Sequence, residues 1–415
     1  MENTPVWSTL WKKVSILGLR RDRIICMMRP EEIALLGHLV AARSVNPPGD
    51  TTAPMKVAAT WLRERGLAPR IVAAVPDKPN LVASVDNGDG PHLVLNAHLD
   101  TVPPGDLDAW SVPPWELTVC DGRLYGLGTG NMKAAAAAMM LAFAHLAGQR
   151  DPWQGRLTLT LVADECVFGS DGAAHLLEAE PEVRGDMLIC GEGPGHMALA
   201  IAEKGLMWVR LSATGPVGQG MLTTRGSAAS VRLAGAIAEL DRWNDILVTP
   251  PLAALDHDRN TQGKRLSVNV GRIGSEGFIS QASSAAFAEI DMRLPPGMSV
   301  ADISGRLDAL CDGAPLEWEL IKGWDANWSA PDTVVAWAVS EAATKVRGNA
   351  PAPVTRSPAS DAARWRELGI PAVCFGPQPE LASGVDDYVF AQDFCDCVAI
   401  YKEAVTRLLP SHTAE

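Results

Sequence analysis

The chain has 415 residues and a formal net charge of −13, with 47% hydrophobic and 20% charged residues. That composition belongs to an ordered globular protein, and the length calls for one large domain plus a smaller one. Nucleic acid and anionic membranes need clustered Lys and Arg to neutralise phosphate, so the acidity disfavours both and leaves a small-molecule substrate as the expected partner.

The basic first stretch, residues 1–28, lacks a clean apolar run ending in a small-residue cleavage site and reads as an N-terminal extension. RPEEIALLGHLVAARSV then repeats apolar residues at helical spacing (Ile33, Leu36, Leu39, Val40), and PPGD breaks it. A second helix is expected in APMKVAATWLRERG, followed by β-type runs RIVAAV, NLVASV and HLVLNAH. The Ala-rich segment AAAAAMMLAFAHLAG predicts a long helix, RLTLTLVAD a strand, DGAAHLL a helix start and DMLICGE a strand. Helices alternate here with strands that are apolar on both faces, which predicts an α/β domain with a largely parallel sheet flanked by helices.

From Leu206 the order changes to strand, helix, two strands, helix and strand: LMWVRLSATG, SAASVRLAGAIAELDRW, RLSVNVGRIG, AAFAEIDMRL, VADISGRLDALC and LEWELIK. This is the split ferredoxin-like α+β order. It predicts an inserted domain over 206–325, with the α/β domain made of 29–205 and 326–415. Helix DTVVAWAVSEAATKV, helix DAARWREL, strand PAVCFG and a last helix FAQDFCDCVAIYKEAVTRLL resume the first pattern. No apolar run approaches the roughly 18 residues of a membrane helix. Eight scattered cysteines without a CxxC pair read as reduced thiols of a cytoplasmic protein.

The motifs that carry chemistry are NAHLD (His98, Asp100), GLGTGNMK (Asn131), VADECVFGS (Glu165, Cys166), CGEGPG (Glu192) and ASGVDDYV (Ser383). In type and order they resemble the M20 metallopeptidase family, which includes carboxypeptidases, aminoacylases, acetylornithine deacetylase and succinyl-diaminopimelate desuccinylase. The resemblance runs from about residue 30 to 405. It implies the M20 fold, with the inserted domain as lid and dimerisation unit, and so a homodimer.

Position by position, the resemblance makes His98 and Glu192 ligands of a first zinc, Asp100 the carboxylate that orients the imidazole, and Glu165 the general base. Asn131 stands where the family has the Asp that bridges two zinc ions, Cys166 where it has a Glu ligand, and Ser383 where it has a His ligand. Two divalent cations about 3.5–4 Å apart repel, and a carboxamide supplies none of the bridging charge. In the inserted domain Gln219 takes the place of a His that crosses from a dimer partner, and Ser280 that of an Asn. Arg225 and Arg293 are candidates for holding a substrate carboxylate.

The expectation from these residues is a divergent enzyme for a small amino-acid-derived or amide-containing substrate, working by Glu165 and His98 acid–base chemistry with no cofactor. One alternative is a hydrolase of N-acyl amino acids or dipeptides, conventional or with one zinc on His98 and Glu192 completed by Cys166 or His196. Another is a non-catalytic ligand-binding homologue.

Overall fold

In the computed structural model, which describes residues 28–149, 153–379 and 384–410, the apolar runs of the sequence become strands of a mixed central sheet. The N-terminal extension, apart from Met28, lies outside the described residues, and so does Ser383. Two compact units divide the chain. The first holds the described residues through Ile201, then Ser329–Pro353 and those from Ser360 onward; the second holds Ala202–Trp328 and Val354–Ala359.

In the first unit the strands run in the spatial order Arg70–Val72, Asn80–Asn87, Gly155–Val162, His92–His98, Met187–Cys190, Ala372–Cys374 and Leu199–Glu203. The four from Gly155–Val162 to Ala372–Cys374 are parallel, and their neighbours on either side are antiparallel to them. Both faces of the parallel strands are covered, which is why Leu93, Val94, Leu95 and Ala97 are all buried although they point to opposite faces. Helix Ala134–Ala147 packs on this sheet and on helix Ala391–Leu408. Its run of alanines suits a helix buried on nearly every side, since Ala has the highest helix propensity and the smallest side chain that still packs.

This arrangement positions the site. Neighbouring parallel strands end at Val162, His98 and Cys190, and the turns beyond those ends carry Glu165, Asp100 and Glu192. Ligand crevices of α/β sheets open at the carboxyl ends of parallel strands.

The second unit is a four-stranded antiparallel sheet in the order Ser267–Ser275, Ala285–Leu294, Gly205–Thr214 and Leu316–Trp324. Helices Ala229–Arg242 and Val300–Cys311 bury one face of it with Val209, Leu211, Ile290, Leu233, Ile303 and Leu307. Strict alternation of buried and half-buried residues along Ala285–Leu294 is what a sheet with one covered face requires.

A small three-stranded sheet of Tyr388–Phe390, Arg123–Tyr125 and Thr118–Cys120 had no counterpart in the sequence reading. Its strands are too short to show a period. It ties the segment after residue 384 to the glycine-rich GLGTGN turn.

Candidate active site

His98 closes its strand with its ring fully buried. Nδ1 lies 3.0 Å from the Asp100 main-chain oxygen and 3.3 Å from Asp100 Oδ1. Nε2 faces Glu165 Oε2 and Glu192 Oε1, each at 3.4 Å. Burial alone would lower the imidazole pKa, but the Glu165 carboxylate and the hydrogen bond to Asp100 outweigh it and hold the pKa well above its ordinary value. Asp100 also accepts from Asn46 Nδ2 at 2.8 Å, Cys166 N at 2.9 Å and Glu165 N at 3.2 Å. Burial opposes its charge, yet the hydrogen bond and charge of His98, then Asn46 and the Cys166 amide, hold the carboxyl down at about 2. The raised His98 pKa and the lowered Asp100 pKa both reflect the pairing of the ring with this carboxylate.

Asn131 comes from the turn before helix Ala134–Ala147. Gly128 in this turn has φ +83°, and a Cβ there would meet Thr101 Cγ2 at 2.4 Å, so only glycine fits. Asp387 fixes the turn by accepting from Gly128 N at 2.8 Å and Gly130 N at 3.2 Å. The Asn131 carboxamide can meet its neighbours in two orientations. In one, Oδ1 lies 3.0 Å from His98 Nε2. In the other, the amide nitrogen lies 3.0 Å from Nε2 and 3.1 and 3.3 Å from the Glu192 oxygens. In the first orientation Oδ1 would also face those Glu192 carboxylate oxygens, acceptor against acceptor, so the second, with the amide donating to Glu192, is the favoured one.

Cys166 lies with His98 and Asp100, and burial pushes its thiol pKa up, so it stays protonated and the negative charge acting on His98 is that of Glu165. Two groups of donors could hold a metal ion among the described residues: His98, Glu165 and Glu192, and His98, Asp100 and Cys166. His196 belongs to neither. It is exposed, with φ +52°, and acts electrostatically on Asp393, so the structure does not support it as a surrogate ligand.

Three supporting groups were not singled out in the sequence. Asp164, next to Glu165, is gripped by Lys78 Nζ at 2.7 Å and Asn46 Nδ2 at 3.3 Å. Lys133 is buried, donates to the Ala42 oxygen at 2.8 Å, and burial lowers its pKa to about 7. Asp361 is buried too; its Oδ2 has no hydrogen-bond partner among the described residues, and burial pushes the carboxyl up to about 7 within electrostatic reach of His98, Asp100 and Glu192.

Gln219, Arg225, Ser280 and Arg293 belong to the second unit. Gln219 and Ser280 come together, through a bridge between Gln219 and Gln281 and a bond from Gly220 N to the Ser280 oxygen at 2.7 Å. Arg225 is exposed in the loop that follows strand Gly205–Thr214. Arg293 pairs with Leu206 near the start of that strand. At about 3.3 Å per residue the two ends of this ten-residue strand are roughly 30 Å apart.

The fold and this cluster define an α/β peptidase-like enzyme class. The profile of peptidase family M20/M25/M40 matches residues 94–407, and the chain belongs to that family. Among curated relatives it is similar to succinyl-diaminopimelate desuccinylase of Stenotrophomonas maltophilia (strain R551-3), 28% identical over 80% of this chain and 87% of the relative. The desuccinylase of Xanthobacter autotrophicus (strain ATCC BAA-1158 / Py2) is 29% identical over 90% and 98%. Among solved structures, the M20 metallo-carboxypeptidase of Sulfolobus solfataricus superposes with a TM-score of 0.70 at 16% identity, covering 92% of this chain and 99% of that one. A dinuclear metal binding peptidase from Bacillus subtilis gives 0.64 at 16% identity, covering 92% and 96%. The expectation of a cofactor-free site has no support from such relatives, and the donor groups named above could hold an ion.

Among the described residues no helix is long and apolar enough to cross a membrane.

Proposed function

We propose that this M20 chain is an enzyme for a small amino-acid-derived or amide-containing substrate, and that it works by Glu165 and His98 acid–base chemistry without a pair of zinc ions. The observation that carries this reading is the neutral Asn131 amide, 3.0 Å from His98 Nε2 and 3.1 Å from Glu192. A pair of divalent cations does not fit such a donor set, because the group between the sites brings no charge and the Cys166 thiol is held protonated. One ion fits in kind, since His98, Glu165 and Glu192 offer an imidazole and two carboxylates within 4.8 Å of one another. That favours, as second reading, hydrolysis of N-acyl amino acids or dipeptides with one zinc, which would polarise the scissile carbonyl.

In the first reading Asp100 keeps the ring in place through Nδ1, Asn131 donates to Glu192, and His98 and Glu165 exchange a proton at Nε2. Chelator-dialysed protein is then expected to keep its turnover of a panel of N-acyl amino acids and dipeptides. Loss of turnover restored by one equivalent of zinc would establish the second reading instead. No turnover under either condition would leave a ligand-binding homologue.

A homodimer through the second unit is part of the proposal. Val217, Met221 and Ile279 are 90%, 84% and 95% exposed on the two loops joined at Gln219 and Gln281, an apolar area that a second copy would cover. The Met221→Asp, Ile279→Asp double variant is expected to sediment as a monomer where the natural chain sediments as a dimer. Identical sedimentation of the two would contradict this. A cytoplasmic location fits the free thiols at Cys120, Cys166, Cys190, Cys311, Cys374, Cys395 and Cys397.

A further inference from the structure

Two buried acceptors beside the His98 cluster have no donor. Asp361 is 2% exposed, and its Oδ2 has no hydrogen-bond partner among the described residues. Arg364 stands nearby, but its Nε is 3.8 Å from Asp361 Oδ1, beyond hydrogen-bond length, and another of its nitrogens is committed to the Gly169 oxygen at 2.7 Å. The second acceptor is Gln378 Oε1, also buried without a partner among the described residues.

Strand pairing brings both toward Glu192. Cys374 lies in register with Cys190, two residues before Glu192. Ser360 Oγ is 3.2 Å from Cys374 Sγ, so Asp361 stands beside this strand end, and its carboxyl feels the charges of His98, Asp100 and Glu192. Gln378 continues from the same strand and packs on Gly193, where an added Cβ would meet Gln378 Cβ at 2.7 Å.

A buried acceptor without a donor is unfavourable, and such an arrangement is expected where a ligand completes it. Carboxylates surround these acceptors, so the ligand's donor is a cation. A metal ion does not suit Asp361, which belongs to neither group of side chains close enough to share one. Metal ligands must converge to about 2 Å from the ion. An N–H reaches acceptors at about 2.9 Å, and a primary ammonium has three to distribute.

We propose that Asp361 and Gln378 bind a primary ammonium group of the substrate, which makes the substrate class amino-acid derivatives with a free amino group. This deepens the reading above and rests on the substrate being held at the His98 cluster.

The test uses the chelator-dialysed full chain at a pH above the Asp361 pKa, with L-alaninol as probe. It carries an ammonium and no bond to cleave. Propane-1,2-diol, which has a hydroxyl in place of the ammonium, and potassium chloride at matched ionic strength are the controls. Calorimetric titration and thermal unfolding are run on the natural chain, Asp361→Asn and Gln378→Met. Alaninol is expected to bind the natural chain and raise its Tm, and to bind Asp361→Asn about tenfold or more weakly. Without ligand, Asp361→Asn is expected to unfold at the same temperature or higher, because a buried carboxylate short of donors has been neutralised. Should it unfold several degrees lower, Gln378→Met decides, with several-fold weaker alaninol binding expected at unchanged Tm. No alaninol binding to the natural chain, equal binding of the diol, or undiminished affinity in the deciding variant would overturn the site. Turnover of N-acyl amino acids without alaninol binding would sink this inference alone, and alaninol binding without any turnover would sink the catalytic reading alone.

Discussion

Asp100→Ala is expected to destabilise the first unit by about 3–5 kcal/mol, the range for removing one member of a buried, hydrogen-bonded charge pair. The carboxylate is fully buried and accepts from Asn46, Cys166 and Glu165 while facing His98 Nδ1 at 3.3 Å. An alanine leaves those donors unsatisfied and the imidazolium without its anchor. The substitution should also change the acid side of the stability profile. A folded pKa of about 2 against 3.8 in the unfolded chain means that Asp100 contributes stability above pH 3.8 and loses it as pH falls through 2. That contribution is on the order of 2 kcal/mol, and the variant lacks it. Urea unfolding followed by tryptophan fluorescence across this window reads both effects. A loss below about 1 kcal/mol at neutral pH would mean the network around Asp100 is not what holds His98.

Glu165→Gln is expected to lower turnover by about 10²–10⁴-fold with a much smaller change in KM, the range for losing a positioned general acid or base. The amide keeps the shape and packing of the carboxylate 3.4 Å from His98 Nε2 but cannot carry a proton for the reaction. It also removes the negative charge that keeps His98 protonated, so the pH dependence of any residual turnover should shift downward, toward a lower His98 pKa. Turnover within a few-fold of the natural chain would end both catalytic readings.

How much of the site could be read in advance depended on how far each residue's role is local. His98, Asp100, Glu165 and Glu192 sit in short motifs at or just beyond strongly apolar runs, and such runs are what mark a buried strand in a sequence. Asp361 had no such marker: it occupies the N-cap position of helix Ala362–Glu367, where an aspartate is ordinarily read as a cap. Its side chain makes no cap bond and is buried near the active-site cluster instead, which only the tertiary fold reveals. Asn46 and Lys78 reach Asp164 across 118 and 86 residues of chain, a distance no local pattern spans. In the second unit the sequence marked AAFAEIDMRL as a strand, and the structure shows along Ala285–Leu294 the alternation that buries one face. Periodicity says nothing about which end of a sheet a residue stands at, so only the register places Arg293 opposite Leu206, near the start of strand Gly205–Thr214.

The most direct test of the central claim is the metal content of the purified protein, measured by elemental analysis beside the Asn131→Asp, Cys166→Glu, Ser383→His variant. The acid–base reading predicts fewer than one bound transition ion per natural chain and two per variant chain. Two tightly held ions in the natural chain would contradict it.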